Sequence, residues 1–307
     1  MGPGQRMLRT SPAEAGMRVD AFLCLRFPDW SRNAVARAIR DGQVCSKTRR
    51  LKPSSTLRAG EELLIAGPEP GPKPECPPIL HEDEDIIAFA KPAGLLMHPV
   101  GRDFAWGLIN LARDRFPDED LHLGHRLDRE TSGVVVVARS AEANRMVKAA
   151  FKTRACVKTY WAIVHGEPSW EEERVDAAIG PDTTSPVRLK QGVRPDGAPA
   201  RTFVRVLRRL GRYSLVSCRP KTGRTHQIRV HLDHLGHPIL GDRLYGQDPE
   251  VFLGLFEKRP VPRLRQRLGH PRHCLHARAL HLPHPRGGML SLRAPMPSDM
   301  ARVVHRR

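Results

Sequence analysis

The sequence predicts an α+β fold: a domain built on a central, mainly antiparallel mixed sheet, preceded by a small α/β domain. Beyond residue 80, short β-type runs outnumber helical segments and follow no regular strand–helix–strand rhythm. A proline-rich segment at 68–74 separates these runs from an N-terminal stretch with helical periodicity. The 307 residues suffice for one large domain and one small one.

The N-terminal stretch predicts a flexible tail over residues 1–16 and a compact unit over residues 17–67. Apolar residues starting at Val19 are spaced for one face of a helix. Ser31 is a suitable N-cap for a second helix. Two short strand-like stretches follow before residue 67, and basic residues are frequent throughout the unit.

Residues 68–79 are predicted to form a linker, and residues 80–307 the larger domain. The predicted strands include residues 86–90, 134–138, 159–164 and 213–218. Ser140 can cap a helix after the second of these runs. Residues 247–272 are rich in proline and arginine and predict an inserted loop within this domain.

The charge balance indicates a polyanionic partner. Fifty-one Lys and Arg oppose 33 Asp and Glu, which leaves a net charge of +18. Such an excess is typical of nucleic-acid binding, because cations that neutralise phosphates release counterions. A solvated basic surface or an anionic membrane is the alternative, but no strongly basic amphipathic helix stands apart. The chain has neither a long apolar run nor a signal-peptide pattern, so we expect a cytoplasmic protein without membrane contact.

One carboxylate stands among arginines in the segment 125–133, which reads H-R-L-D-R-E-T-S-G and leads into an apolar run. Nearby guanidinium groups favour the ionised form of a carboxylate. Asp128, between Arg126 and Arg129, is therefore a candidate nucleophile rather than an acid. The alternative is a structural aspartate in a salt-bridged turn.

A second basic segment, 221–231, reads K-T-G-R-T-H-Q-I-R-V-H. Its glycine predicts a turn that opens a helix with Ile228 on the apolar side. Arg224 lies just ahead of this helix, where its guanidinium could lean over a neighbouring carboxylate. Taken alone, the segment favours an ordinary basic helix start over a functional role.

Together these segments resemble the RluA family of pseudouridine synthases. The segments that match family elements, in order, are 91–99 (K-P-A-G-L-L-M-H-P), 125–133, 158–162 (K-T-Y-W-A), 223–231 with 236–242, and 275–277 with 284–285. Residues 17–67 resemble the small RNA-binding αL domain of ribosomal protein S-four. The usual V-x-V-N-G-K turn of that domain reads V-C-S-K-T-R at 44–49.

The resemblance implies an isomerase that converts uridine to pseudouridine in structured RNA. It implies that Asp128 is the nucleophile, that Arg224 is its ion-pair partner, and that Tyr160 is a base that also stacks on the target uracil. The predicted RNA-binding residues are Arg126, Ile228, Arg37 and Arg40. Because isomerisation retains every atom, no cofactor and no metal are expected. Whether Asp128 attacks C1′ or C6, or triggers formation of a glycal, stays open.

Other classes of protein are compatible with part of the sequence. A non-catalytic RNA-binding or ribosome-assembly protein would need neither Asp128, Tyr160 nor Arg224, and all three are present. A metalloenzyme would find ligands among 15 histidines, of which three recur at 231, 234 and 237, but no zinc spacing occurs.

The expected substrate is large-subunit ribosomal RNA rather than transfer RNA. A second basic module on a stiff linker extends the binding footprint and raises the local concentration of the catalytic domain at its site. A synthase directed at transfer RNA is the alternative. We expect a monomer with no obligatory protein partner.

Overall fold

The structure is a computed structural model that describes residues 5–27, 32–66, 73–98, 106–257, 260–261 and 263–305. The predicted N-cap Ser31 and residues 68–72 of the predicted linker lie outside these ranges. The chain divides into two compact units, one of residues 1–76 with 95–118 and one of residues 77–94 with 119–307.

The secondary structure consists of short strands and short helices in both units. The strands are β1 (Gln5–Arg9), β2 (Val44–Ser46), β3 (Glu62–Ala66), β4 (Ile79–Glu82), β5 (Ile86–Lys91), β6 (His122–Leu123), β7 (Ser132–Ala138), β8 (Val157–His165), β9 (Glu172–Asp176), β10 (Ile179–Pro181), β11 (Gln191–Val193), β12 (Arg201–Arg209), β13 (Tyr213–Pro220), β14 (Leu275–Pro283) and β15 (Met289–Arg293). The helices are α1 (Val19–Arg26), α2 (Arg32–Arg40), α3 (Leu108–Arg115), α4 (Ala141–Lys152), α5 (Gln227–His234), α6 (Pro249–Phe256), α7 (Leu264–Leu268) and α8 (Ser298–His305). In the described ranges, none of these helices has the length and apolar character needed to span a bilayer.

The first unit contains a three-stranded antiparallel sheet in the order β1-β3-β2. Apolar residues of α1 and α2, among them Phe22 and Val35, pack with Ile65 of β3 in one core. The predicted tail over residues 1–16 differs from the structure, because residues 5–9 pair with residues 62–66. The strand is short and its partner lies far along the chain, so no local pattern could reveal the pairing.

The second unit is built on a ten-stranded sheet. Its main path runs β4-β5-β7-β14-β8-β13-β12-β9, with β15 beside β14 and β6 beside β7. Among the pairs described, β14 with β7 is parallel and the others are antiparallel. The predicted α+β class with a mainly antiparallel mixed sheet is confirmed.

The strand β7 explains the apolar run that follows the 125–133 segment. All seven residues of β7 are buried, as expected for a strand covered on both faces. Helix α4 follows, and the Ser140 hydroxyl accepts the Ala143 N–H at 3.1 Å as the predicted N-cap.

The segment 247–272 differs from the predicted loop, because it contains the helices α6 and α7. Helix α6 begins with Asp248 as N-cap and Pro249 at the first helical position. This pair is a regular helix-start signal, and the proline density around it obscured that signal.

One close backbone contact fixes the start of β7 against β14. Ser132 and Gly133 pair with His276 and Ala277 in parallel register. Gly133 has φ +120°, and a Cβ atom there would lie 2.2 Å from the Ala277 carbonyl oxygen. Only glycine fits this position. The segment that ends at Gly133 is therefore held one strand away from β8, which pairs with the other edge of β14.

Candidate active site

A cavity of about 710 Å³ lies in the second unit. Its walls come from the loop before β7, the end of α4, the start of β8, and the turn between β13 and α5. The predicted residues found on its walls are Asp128, Tyr160, Arg224, Arg126 and Ile228. The structure thus brings together residues that lie far apart in the chain. Arg37 and Arg40 are exposed on α2 in the first unit.

The loop that carries Asp128 is tied to the end of β5. The ammonium group of Lys91 donates to the carbonyl oxygens of Pro92 at 2.9 Å and Arg129 at 3.1 Å. The Gly94 N–H donates to the same Arg129 oxygen at 2.8 Å. Lys91 is 1% exposed. Its burial, helped by the charge of Arg272, lowers its pKa to about 7, although the Asp128 carboxylate acts in the opposite direction. The sequence around Lys91 did not indicate that its ammonium group would hold the loop of Asp128.

The carboxylate of Asp128 faces Arg229, not Arg224. The Arg229 Nη1 atom lies 3.4 Å from Asp128 Oδ2. The Arg224 Nε–H donates instead to the Pro199 carbonyl oxygen at 3.1 Å. The prediction that Arg224 is the ion-pair partner of Asp128 is therefore wrong. The segment R-T-H-Q-I-R offers two arginines, and the second lies in the first turn of α5, directed at the carboxylate.

A buried aspartate holds Arg229 in place. Asp242 accepts hydrogen bonds from Arg229 Nε at 2.6 Å and Nη2 at 2.8 Å, and this bidentate pair leaves Nη1 for Asp128. Burial alone would raise the pKa of Asp242, but the charge and hydrogen bonds of Arg229 outweigh it and lower the pKa to about 2. The Arg229 guanidinium also lies 4.9 Å from the centroid of the Tyr245 ring. Arg229 is thus a cation held in a fixed position, with its Nη1 group directed at Asp128.

Tyr160 lies on β8, between β13 and β14. It pairs with Cys218 on one side and Ala277 on the other. Burial, with the negative charge of Asp128, raises the pKa of its hydroxyl far above the ordinary value. Tyr160 is therefore a neutral phenol at neutral pH. Its predicted role as a base stays a prediction, with the constraint that the hydroxyl must release its own proton when it accepts another.

The turn before α5 is organised by a buried glutamine. The Gln227 side-chain oxygen accepts from the Arg224 N–H at 3.0 Å and the Thr222 hydroxyl at 2.7 Å. Its amide nitrogen donates to the Arg201 carbonyl and to the Thr202 hydroxyl, both at 2.9 Å. Four hydrogen bonds on one side chain fix the conformation of the turn that lines the cavity.

Cationic side chains surround the carboxylate on the cavity wall. They are Arg126, Lys148, Lys152, Arg154, Lys158, Lys221, Arg224 and Arg229. The Lys158 ammonium donates to the Thr222 carbonyl oxygen at 3.0 Å, and burial lowers its pKa. Arg126 and Arg224 are exposed. Such a rim suits phosphate groups.

Potential metal ligands lie elsewhere. Among the described residues, the group whose ligand atoms come close enough to share an ion is Asp83, Asp85 and His284, and none of these lines the cavity. Arg286 already pairs with Asp85 at 2.6 Å. Of the histidines weighed from the sequence, His231 uses both ring nitrogens, on Thr202 and on the Ala177 carbonyl, each at 2.9 Å.

Comparison with known proteins places this fold and cavity in a class. A family model described as RNA pseudouridylate synthase matches residues 85–234. The solved structure of human RNA Pseudouridylate Synthase Domain Containing 4 is 31% identical, with a TM-score of 0.57, and the match covers 74% of this chain and 91% of that one. The class defined by fold and site is that of RNA pseudouridine synthases, which are isomerases.

Relatives of known name narrow the class to a family. An uncharacterised RNA pseudouridine synthase of Chloroflexus aurantiacus is 38% identical over 98% of this chain and 93% of its own length. A protein of Xanthomonas campestris pv. campestris named ribosomal large subunit pseudouridine synthase D is 35% identical, over 94% of this chain and 88% of its own length. The chain belongs to the RluA family of pseudouridine synthases.

Proposed function

We propose that the enzyme isomerises specific uridines of bacterial large-subunit ribosomal RNA, with Asp128 as nucleophile acting on a flipped-out nucleotide. The observation that carries the proposal is the convergence of Asp128, Tyr160 and Arg229 in one cavity with a cationic rim. The choice of RNA is supported by relatives named ribosomal large subunit pseudouridine synthase D, such as those of Xanthomonas campestris and Yersinia pestis.

A uridine must leave its helix to reach the cavity. Flipping a nucleotide costs a few kcal/mol in lost stacking and pairing. Contacts between phosphates and the cationic rim offset this cost. Arg126 is exposed at the rim, two residues before Asp128, and would fill the space that the flipped nucleotide leaves. Lys148 and Lys152 on α4, which line the same cavity, would hold the strand on either side.

The reaction needs a nucleophile that is charged and oriented before the uridine arrives. Arg229 lies 3.4 Å from the Asp128 carboxylate and is itself fixed by Asp242. The carboxylate can attack C1′ or the pyrimidine C6, or trigger formation of a glycal. In each route the N1–C1′ bond breaks and the uracil turns. A C5–C1′ bond then forms, the C5 proton is lost, and N1 gains a proton.

Tyr160 would hold the detached uracil. An aromatic ring offers a flat apolar surface to a base that has lost its covalent link. The raised pKa keeps the hydroxyl protonated, so it can donate a hydrogen bond while the base turns. It would accept the C5 proton only in a concerted step. Ile228, buried on the opposing α5, would complete the apolar part of the wall.

The first unit would extend the contact with RNA. We propose that residues 17–67 act as an αL-type RNA-binding domain, with Arg37 and Arg40 as phosphate contacts. Both lie exposed in the last turn of α2, three residues apart and hence on one face. A module that adds such contacts suits a large RNA, in which many uridine loops compete for one cavity.

Mapping pseudouridine in total RNA tests the substrate. A deletion strain is compared with its parent and with strains complemented by the wild-type gene or by Asp128→Asn. We expect one or more pseudouridines to vanish from large-subunit ribosomal RNA and to return only with the wild-type gene. Loss confined to transfer RNA would overturn the ribosomal assignment, and an unchanged map would overturn the proposed activity.

A further inference from the structure

His226 occupies a backbone conformation that its side chain disfavours. Its φ is +56° and its ψ +17°, in the left-handed region, immediately before α5. Residues other than glycine adopt this region rarely, and then mostly where surrounding contacts enforce it. The hydrogen bonds of Gln227 to Thr222 and Arg224 enforce it here, because they fix the turn on both sides of His226. The result is an imidazole on the cavity wall that holds Asp128.

A chain of hydrogen bonds favours one of the two neutral forms of His226, the one with its proton on Nε2. The Gln191 backbone N–H donates to the Tyr245 hydroxyl oxygen at 3.1 Å, and this group can only donate. The hydroxyl lies 3.0 Å from His226 Nδ1, its other hydrogen-bond partner among the described residues. If Nδ1 carried a proton instead, the Tyr245 oxygen would accept two hydrogen bonds and its own proton would have no partner among the described residues, so we assign Nδ1 as the acceptor.

The imidazole is neutral, so its one remaining proton lies on Nε2. Burial and the charge of Arg229 lower the pKa of His226 to about 4, although Asp128 and Asp242 act in the opposite direction. With Nδ1 as acceptor, Nε2–H is a donor. Within the described residues this donor has no hydrogen-bond partner. It is an oriented donor on the wall of the cavity in which the target base is expected.

We propose that His226 donates its Nε2–H to the O4 carbonyl of the flipped uracil, and that Tyr245 positions it by fixing its tautomer. The inference rests on the proposed function. At position 4 uracil presents an acceptor and cytosine an amino donor. A fixed donor therefore accepts uridine and repels cytidine. A ring free to exchange its protons would bind both, so the contact between Tyr245 and His226 sets the selection.

Thio-substituted RNA tests this contact. A fragment of large-subunit ribosomal RNA carries uridine, 4-thiouridine or 2-thiouridine at the modified position, and product is measured by chromatography of the digested nucleosides. Sulfur is a weak acceptor, so we expect the wild-type enzyme to lose about tenfold in kcat/KM with 4-thiouridine, the worth of one hydrogen bond. His226→Gly suits the left-handed backbone and removes the donor. It should be slower on uridine by about tenfold and treat uridine and 4-thiouridine alike.

Tyr245→Phe is the second variant, because it keeps the ring beside Arg229 and removes only the hydroxyl. It should lower the preference for uridine over 4-thiouridine several-fold. For both variants, the ratio of kcat/KM for uridine to that for 2-thiouridine should stay as in the wild type. A purely structural role for His226 would slow all three substrates equally and preserve the 4-thiouridine ratio, which would overturn the proposal. If the variants instead changed the discrimination against 2-thiouridine, the donor would lie at O2, and this too would overturn the proposal. If the wild-type enzyme converted no uridine at all, the proposed function itself would be contradicted, and the inference that rests on it as well.

Discussion

Replacing Asp242 by asparagine is expected to destabilise the second unit and to abolish turnover together. The carboxylate is fully buried and holds the Arg229 guanidinium through two hydrogen bonds of 2.6 and 2.8 Å. Its pKa, lowered from 3.8 to about 2, corresponds to stabilisation on the order of 2–3 kcal/mol at neutral pH. Asn leaves the buried cation uncompensated as well, so the expected loss is about 3–5 kcal/mol.

The sign of the pH dependence follows from the lowered pKa of Asp242. The stabilisation is complete above the ordinary value of 3.8 and is lost as pH falls toward 2. Urea denaturation followed by circular dichroism should show this acid-dependent part in the wild type and not in Asp242→Asn. Release of tritium from RNA labelled at uridine C5 measures turnover.

Asp196→Asn is the matched control. Asp196 also binds an arginine, Arg194, through two hydrogen bonds of 2.8 and 2.7 Å, but this pair is exposed. Exposed pairs contribute little because water solvates both charges. The control should match the wild type in stability and turnover. If Asp242→Asn behaved like Asp196→Asn, the account of Arg229 as a fixed partner of Asp128 would be refuted.

Further outcomes follow from the same site. Arg229→Ala should abolish turnover, whereas Arg224→Ala should mainly weaken RNA binding, and the reverse result would restore the pairing predicted from the sequence. Replacing Arg37 and Arg40 by alanine should weaken RNA binding and flatten the log–log salt dependence by about 0.7–0.9 for each phosphate that the protein no longer neutralises; an unchanged slope would exclude both arginines from phosphate binding. Exhaustive EDTA treatment should leave turnover on folded RNA unchanged, and loss of activity restored by zinc would reveal a required metal.

The fold class followed from the sequence because strands of the second unit such as β5 and β7 are buried and rich in apolar residues. Residues 134–138 of β7 read V-V-V-V-A, and an apolar run without alternation predicts a strand that is covered on both faces. The structure buries every residue of β7. By contrast, β1 pairs with a strand more than 50 residues away, and its few residues carry no distinctive pattern. Pairing over that distance is a tertiary contact that local propensity does not encode.

The site divides in the same way. The sequence predicts Asp128 and Tyr160 as site residues because each lies in a segment with specific neighbours, and both line the same cavity. The choice between Arg224 and Arg229 depended on where α5 begins, and the left-handed conformation of His226 sets that point. Such a conformation in a residue other than glycine leaves no mark in the sequence. The sequence did not indicate Asp242 as the partner of Arg229, because this pairing depends on how the chain folds back after α5.

The most direct test of the central claim compares Asp128→Asn with the wild type in two assays on the same RNA. Asn keeps the shape of the side chain and removes the nucleophilic carboxylate. The account predicts no detectable tritium release from C5-labelled uridine, with RNA affinity within about a few fold of the wild type, since the substitution leaves intact the cationic rim that we propose binds phosphates. Turnover near the wild-type rate would contradict the assignment of Asp128 as the nucleophile.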